Sequence, residues 1–417
     1  MMRLFFSNML RRVLTLLAVV AGGAHAGAAA APAHPPQDTA SIEARIETGR
    51  YLSLAANCAG CHTVPEAERF AGGTPMPTRF GTLYGPNITP SRDHGIGKWT
   101  ADDFWNALHN GKSPDGTPLY PAFPYPQYTR MTRADSDALY AYLMSQPASD
   151  TPSRPHELRF PYNQRWLLTL WRAMYFGPGV MEADPGRDEL WNRGRYLVEG
   201  PGHCAACHTP RNQWAANDPR KNLQGAGMMD TPWYATSLTG NAEGLANWSA
   251  DDIAELLRTG GSRQGTAAGP MAAIVSGSTQ YLTDTDRNAV AAYLKSLPAG
   301  PARRPVPAPS EAAMMVGGRL YEQHCVLCHQ AEGEGSPPAW PPLAGNTSVL
   351  AASANNVVQM ILKGGYAPVT ADNPRPHGMP PFHALSDSDI ASLATFIRNS
   401  WGNAAGAVSA HHVTSLR

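Results

Sequence analysis

Apolar positions recur at helical spacing in several stretches of this chain, and the stretches fall into a repeating order. Leu139, Tyr142 and Leu143 keep the i, i+3, i+4 spacing of a helix with one buried face, in a run that opens at Thr132 with Asp135 three residues on. Similar runs open at Thr283 with Asp286 and at Ser386 with Asp389. Upstream, Trp99-Thr100-Ala101-Asp102-Asp103-Phe104 and Trp248-Ser249-Ala250-Asp251-Asp252-Ile253 put a hydroxyl and an acid at the distance of an N-cap and its reciprocal partner, so a helix is predicted to begin at each. Ser353 to Gly365 is a weaker third copy. The lead-ins match too: Gly49-Arg50-Tyr51-Leu52, Gly194-Arg195-Tyr196-Leu197 and Gly318-Arg319-Leu320-Tyr321. The period is that of a domain, not of a solenoid repeat.

The 417-residue chain is therefore expected to be mainly α, with three tandem units at 41–148, 187–298 and 311–403 joined by long Gly/Pro-rich loops. Linkers are placed at 149–186 and, Pro-rich, at 299–310, and a tail at 404–417. Residues 1–26 read as a signal peptide: arginines, the apolar run Val13 to Ala21, then Ala24 and Ala26 flanking His25. That run is shorter than the ~20 residues a membrane span needs, so export is expected and membrane association would be peripheral. Arg165 to Phe176, rich in aromatics and flanked by arginine, suits a membrane interface or an interdomain helix equally.

Formal net charge is zero, and the first 26 residues hold Arg3, Arg11 and Arg12 with no acid, so the remainder is slightly acidic. No nucleic-acid partner is implied.

All six cysteines lie in three copies of one phrase: Cys58, Cys61 and His62; Cys204, Cys207 and His208; Cys325, Cys328 and His329. An even count in an exported chain raises disulfides, and paired C-x-x-C raises zinc, but the histidine that follows each pair argues against both. Cysteines at i and i+3 on one helical face can form thioethers with the two vinyl groups of a haem, and the next residue's imidazole reaches the iron from the same side. C-x-x-C-H is that attachment pattern, so three covalently bound haem c groups are expected.

An electron-transfer haem has its sixth position filled, and methionine there raises the potential. Met271, in Ala268-Gly269-Pro270-Met271, and Met379, in His377-Gly378-Met379-Pro380, each lie in a loop before the last helix of their unit, where a helix-core role is not open to them. They are the candidate iron ligands of units two and three. Unit one has Phe123 at the matching place, which cannot ligate iron. Met131 aligns with Leu282 and Leu385 and reads as packing, while Met76, His94 and His109 are further candidates that read better as loop or surface residues.

With these motifs, and with Phe80-Gly81-Thr82-Leu83-Tyr84, Asn87-Ile88-Thr89, Pro341-Pro342-Leu343-Ala344-Gly345-Asn346 and Phe396 to Asn403, the chain resembles the three-haem cytochrome c subunit of membrane-bound periplasmic dehydrogenases. The likeness implies three class I-like cytochrome c domains and methionine ligation by Met271 and Met379. It also implies electron transfer from a catalytic dehydrogenase subunit to membrane quinone or a terminal oxidase, on the periplasmic side of the cytoplasmic membrane. Two other readings stand beside it: a haem enzyme using an open site in unit one, and a free periplasmic electron carrier.

Overall fold

A computed structural model describes residues 39–228, 231–300 and 306–417. The expected signal peptide, residues 1–26, lies outside the described residues, as does part of the second linker. The first unit is built on α1 (Thr39–Ala55), α2 (Ala101–Asn110) and α3 (Arg133–Met144). Helix α4 (Leu167–Tyr175) follows, then α5 (Glu189–Glu199), α6 (Ala250–Thr259) and α7 (Asp284–Ser296) form the second unit. The third holds α8 (Glu311–His324), α9 (Asn355–Lys363), α10 (Asp387–Asn399) and α11 (Ala410–Leu416).

The predicted helix starts are present. Thr100 accepts from the Asp103 amide while the Asp103 carboxylate takes the Thr100 amide, and Ser249 with Asp252 repeats the device. Thr132, Thr283 and Ser386 cap α3, α7 and α10 through the amides of Asp135, Asp286 and Asp389. Each unit buries its own apolar cluster: around Leu52, Phe104, Met131 and Leu139 in the first, Leu197, Trp248, Ile253 and Leu294 in the second, and Val358, Ile361, Leu393 and Ile397 in the third.

In every unit the first and last helices cross at a buried glycine. A Cβ on Gly49 would run into the Ala138 carbonyl of α3, on Gly194 into the Ala289 carbonyl of α7, and on Gly317 into the Ser392 carbonyl of α10. Any side chain there would force the helices apart. The third crossing thus falls on Gly317, one residue before the Gly318 matched by the sequence repeat, and Arg319 stands at the place of Tyr51 and Tyr196.

Two loops depart from the expected linker and tail. Residues 149–186 contain Glu157–Leu158, which adds a third antiparallel strand to the hairpin Pro75–Thr78 and Gly81–Tyr84, pairing Thr82 with Glu157. Asn87 fixes the start of this stretch: its buried amide donates to the Ser149 and Thr151 carbonyls while its oxygen accepts from Thr89. Residues 404–417 are not a free tail. Val413 and Leu416 of α11 pack on the third cluster, and Arg417 pairs with Asp387 at 2.7 Å. Two apolar residues three apart give α11 a face to bury, which outweighs its polar composition.

Candidate functional site

Each cysteine phrase folds as a short helical turn directly after the first helix of its unit, Cys58–His62, Ala205–His208 and Val326–His329. The six thiols are unpaired. Burial pushes the Cys58, Cys204 and Cys325 thiols up to about 12, so as free thiols they stay protonated at neutral pH. Among the described residues no three His, Cys, Asp or Glu side chains gather as a metal-ion cluster.

The three histidines share one arrangement. Nδ1 lies 2.7 Å from the Pro86 carbonyl in His62, 2.6 Å from Thr236 in His208 and 3.0 Å from Pro341 in His329. A carbonyl oxygen can only accept, so Nδ1 carries the proton and Nε2 presents its lone pair. Burial lowers all three imidazoles from the usual histidine range, against the smaller opposing effect of those carbonyls, and so favours the neutral form that a metal requires.

The second and third sites line one cavity of about 430 Å³, with Cys204, Cys207, His208 and Met271 on one part of its wall and Cys325, Cys328, His329 and Met379 on another. Protein interiors close-pack to voids hardly larger than a water, and an apolar space of this size inside two hydrophobic clusters fits a large flat prosthetic group. Trp248, Leu257, Leu294 and Ile397 are among the apolar residues that line it. Both methionines therefore share a cavity with the histidine of their own unit. Met271 does not lie in the expected loop but at the start of the helical segment Pro270–Gly277, packed against the second cluster and entered through Gly269 at φ +53°, where a Cβ would also strike the Trp233 ring. Met379 sits in a two-residue strand, Gly378–Met379, paired with Gly365–Tyr366.

Site one differs. Phe123 packs in the first core cluster with Cys58 and Ala59, its ring 5.4 Å from that of Tyr128. Met131 is fully buried in that cluster, and of its matches Leu385 packs against the third cluster and Leu282 is buried, as expected of a packing residue. Met76 lies in the hairpin opposite Leu83, His94 is exposed, and His109 stacks on Trp105 with Nδ1 3.1 Å from the Thr129 carbonyl.

From Glu43 onward the chain forms one compact unit, and the sites adjoin within it. The Cys61 thiol is pushed up by burial and then by Cys207 of the second unit. Nε2 of His203, next to Cys204, lies 3.2 Å from the Ala56 carbonyl just before Cys58, and the His203 ring meets Tyr128 edge-on at 5.6 Å. The second and third units join through Asn356, which bonds both the amide and the carbonyl of Tyr234 at 2.9 and 2.8 Å, and through Arg258 with Asp372 at 2.7 Å. Sequence reading did not find these joints.

The family model for cytochrome c matches residues 46–147, 192–298 and 315–401, one match over each unit. The chain belongs to the cytochrome c family. A cytochrome c carries covalently attached haem c, and the cysteine turns and the cavity above fit that group. This cytochrome c is 39% identical to the cytochrome c subunit of a quinone alcohol dehydrogenase of Gluconacetobacter polyoxogenes, over 90% of this chain and 84% of that one. It is 37% identical to the gluconate 2-dehydrogenase cytochrome c subunit of Pantoea cypripedii, over 91% of each chain. It is also 36% identical to the fructose dehydrogenase cytochrome subunit of Gluconobacter japonicus, over 92% of this chain and 85% of that one. The resemblance drawn from the motifs, to cytochrome c subunits of dehydrogenases, is thereby borne out, as is the mainly helical cytochrome c fold.

Proposed function

We propose that the chain carries three haem c groups and relays electrons from a catalytic dehydrogenase subunit to membrane quinone or a terminal oxidase, on the periplasmic side of the cytoplasmic membrane. The observation that carries this reading is the continuity of the sites: the second and third line one cavity, and the first and second adjoin where His203 meets the Ala56 carbonyl and Cys207 acts on Cys61. Haem supplies reversible one-electron chemistry when bound. Cys58, Cys61, Cys204, Cys207, Cys325 and Cys328 would tether it, His62, His208 and His329 would face the iron, and Met271 and Met379 would take the opposite side in units two and three.

The protein's own residues would hold each imidazole neutral and correctly turned, exclude water with apolar walls, and keep neighbouring sites close. Domain two stands between the others in this scheme, which orders the relay by position. The names of the relatives support a dehydrogenase partner. Among the described residues no helix is long and apolar enough to cross a membrane. Peripheral attachment is assigned to α4, whose exposed Trp166, Leu170 and Met174 recur every four residues beside Arg165.

Isolation of the protein from its native membrane in mild detergent, followed by identification of any co-purifying subunit and its cofactor, tests the relay. Recovery with a flavin, quinone or molybdenum subunit, and haem reduction when that subunit's substrate is added, is the expected result; recovery alone with haems that no substrate reduces overturns it. Phe123 favours a second reading, in which haem held by Cys58, Cys61 and His62 would react with a small molecule, since the Phe123 side chain offers the iron no donor. Cyanide or carbon monoxide binding at low concentration would support that reading, and inertness would remove it.

A further inference from the structure

Tyr51 and Tyr196 occupy the same place in the lead-ins of units one and two, and each leaves its own domain to bond the other. The Tyr51 hydroxyl donates to Asp286 Oδ2 at 2.5 Å and accepts from the Thr283 amide at 3.2 Å, at the start of α7. The Tyr196 hydroxyl donates to Asp135 Oδ2 and accepts from the Thr132 amide at 3.1 Å, at the start of α3. Residue i thus meets j while the counterpart of j meets the counterpart of i, the reciprocity of a two-fold interface, here between two repeats of one chain. Hydrogen bonds to a carboxylate are the stronger kind. Burial foremost, and then the facing aspartates, raises both phenols, so each keeps the proton it donates.

We propose that Tyr51 and Tyr196 are positioning residues, a reciprocal pair of latches that locks domains one and two into a two-fold-like module and sets their attachment turns face to face. The buried joint between Ala56, Tyr128 and His203 lies inside this module. Domain three is outside it: Arg319 stands at the latch position and is exposed, and domain three meets domain two through Asn356 and Asp372 instead. Latch geometry thus fixes the spacing of the first two sites, whereas the cavity wall fixes the second and third. The positional consequence rests on the haem reading given above; the latches themselves do not.

The test uses the full chain with Tyr51→Phe, Tyr196→Phe and both together, beside Tyr293→Phe, which removes a tyrosine–carboxylate bond to Glu199 wholly within domain two. Three readouts are taken: haem content, exchange of the Thr132 and Thr283 amides with solvent, and the circular-dichroism couplet of the main haem band, which reports the mutual orientation of neighbouring haems. Each single change should speed exchange of the amide it uncovers, the double change should speed both about tenfold or more, and the couplet should be largely lost only in the double variant.

Unchanged exchange in the double variant overturns the latches. Faster exchange with an unchanged couplet overturns their positioning role, and so does an equal loss of couplet in Tyr293→Phe. A haem content other than three refutes the three-haem reading instead, and the latches are then judged on exchange alone.

Discussion

Domains one and three share a scaffold and differ at the positions that would tune it. Both cross their first and last helices at a glycine, Gly49 and Gly317, and both turn a histidine onto a backbone carbonyl, Pro86 and Pro341. They part at the place the repeat matches before the last helix, Phe123 against Met379, and on the outer face of the first helix, Tyr51 against Arg319. Attachment and packing tolerate little change, because a displaced helix or a misturned imidazole loses the site. The residue at the Phe123 and Met379 place and the outer face of the first helix can vary, because a change there leaves attachment and packing intact.

The largest test of the common part is removal of attachment. Cys58→Ala with Cys61→Ala, or Cys325→Ala with Cys328→Ala, is expected to cost one of three covalently bound haems in either case, measured by haem content of the denatured chain. Equal haem content before and after either double change would break the equivalence of the two domains.

Next comes the distal exchange. Phe123→Met should add a methionine–iron band in the far-red spectrum of the oxidised protein and abolish any carbon monoxide binding, and Met379→Phe should do the reverse in domain three. Methionine there raises the potential, so the first change should lift one midpoint and the second lower one. If Phe123→Met alters neither spectrum nor potential, the Phe123 ring does not stand over the first site.

The capping pairs and cysteine phrases were legible in the sequence, because each is a local pattern whose spacing alone dictates geometry. Thr100 with Asp103 needs only three residues of separation to be read. The lead-in match set Gly318 beside Gly49 and Gly194, whereas the crossing falls on Gly317, since Gly317-Gly318 offers two candidates and only the approach of the Ser392 carbonyl selects between them. The latches were invisible for a different reason: Tyr51 and Asp286 stand 235 residues apart, and nothing local marks either as a partner. Met271 and Met379 were reachable because the repeat supplied a frame in which their positions matched, and the same frame exposed Phe123.

The crossings give a smaller test. Gly49→Ala and Gly317→Ala should each destabilise their own domain by about 3 kcal/mol, since a backbone carbonyl in a helix cannot swing aside as a side chain can. Domain-resolved hydrogen exchange would show the loss confined to α1 and α3 in the first case and α8 and α10 in the second. A cost in one domain only would mean that the scaffold is less shared than the geometry indicates.

The smallest effect concerns the middle helix. In domain one Thr100 and Asp103 cap α2 reciprocally, so Thr100→Ala should cost about 1 kcal/mol. In domain three the N-cap of α9 is Ala354, with no side-chain bond, and the Ser353 hydroxyl beside it accepts from the Asn355 amide at 3.2 Å and donates to Asn355 Oδ1 at 2.8 Å. The start of α9 is held by burial of Val357, Val358, Ile361 and Leu362. Ser353→Ala should therefore cost less than Thr100→Ala, and exchange at the first turns of α2 and α9 measures both. An equal cost would mean that the polar start matters as much where the apolar face is broad, and that the domains differ less in what holds their middle helix than in what faces their sites.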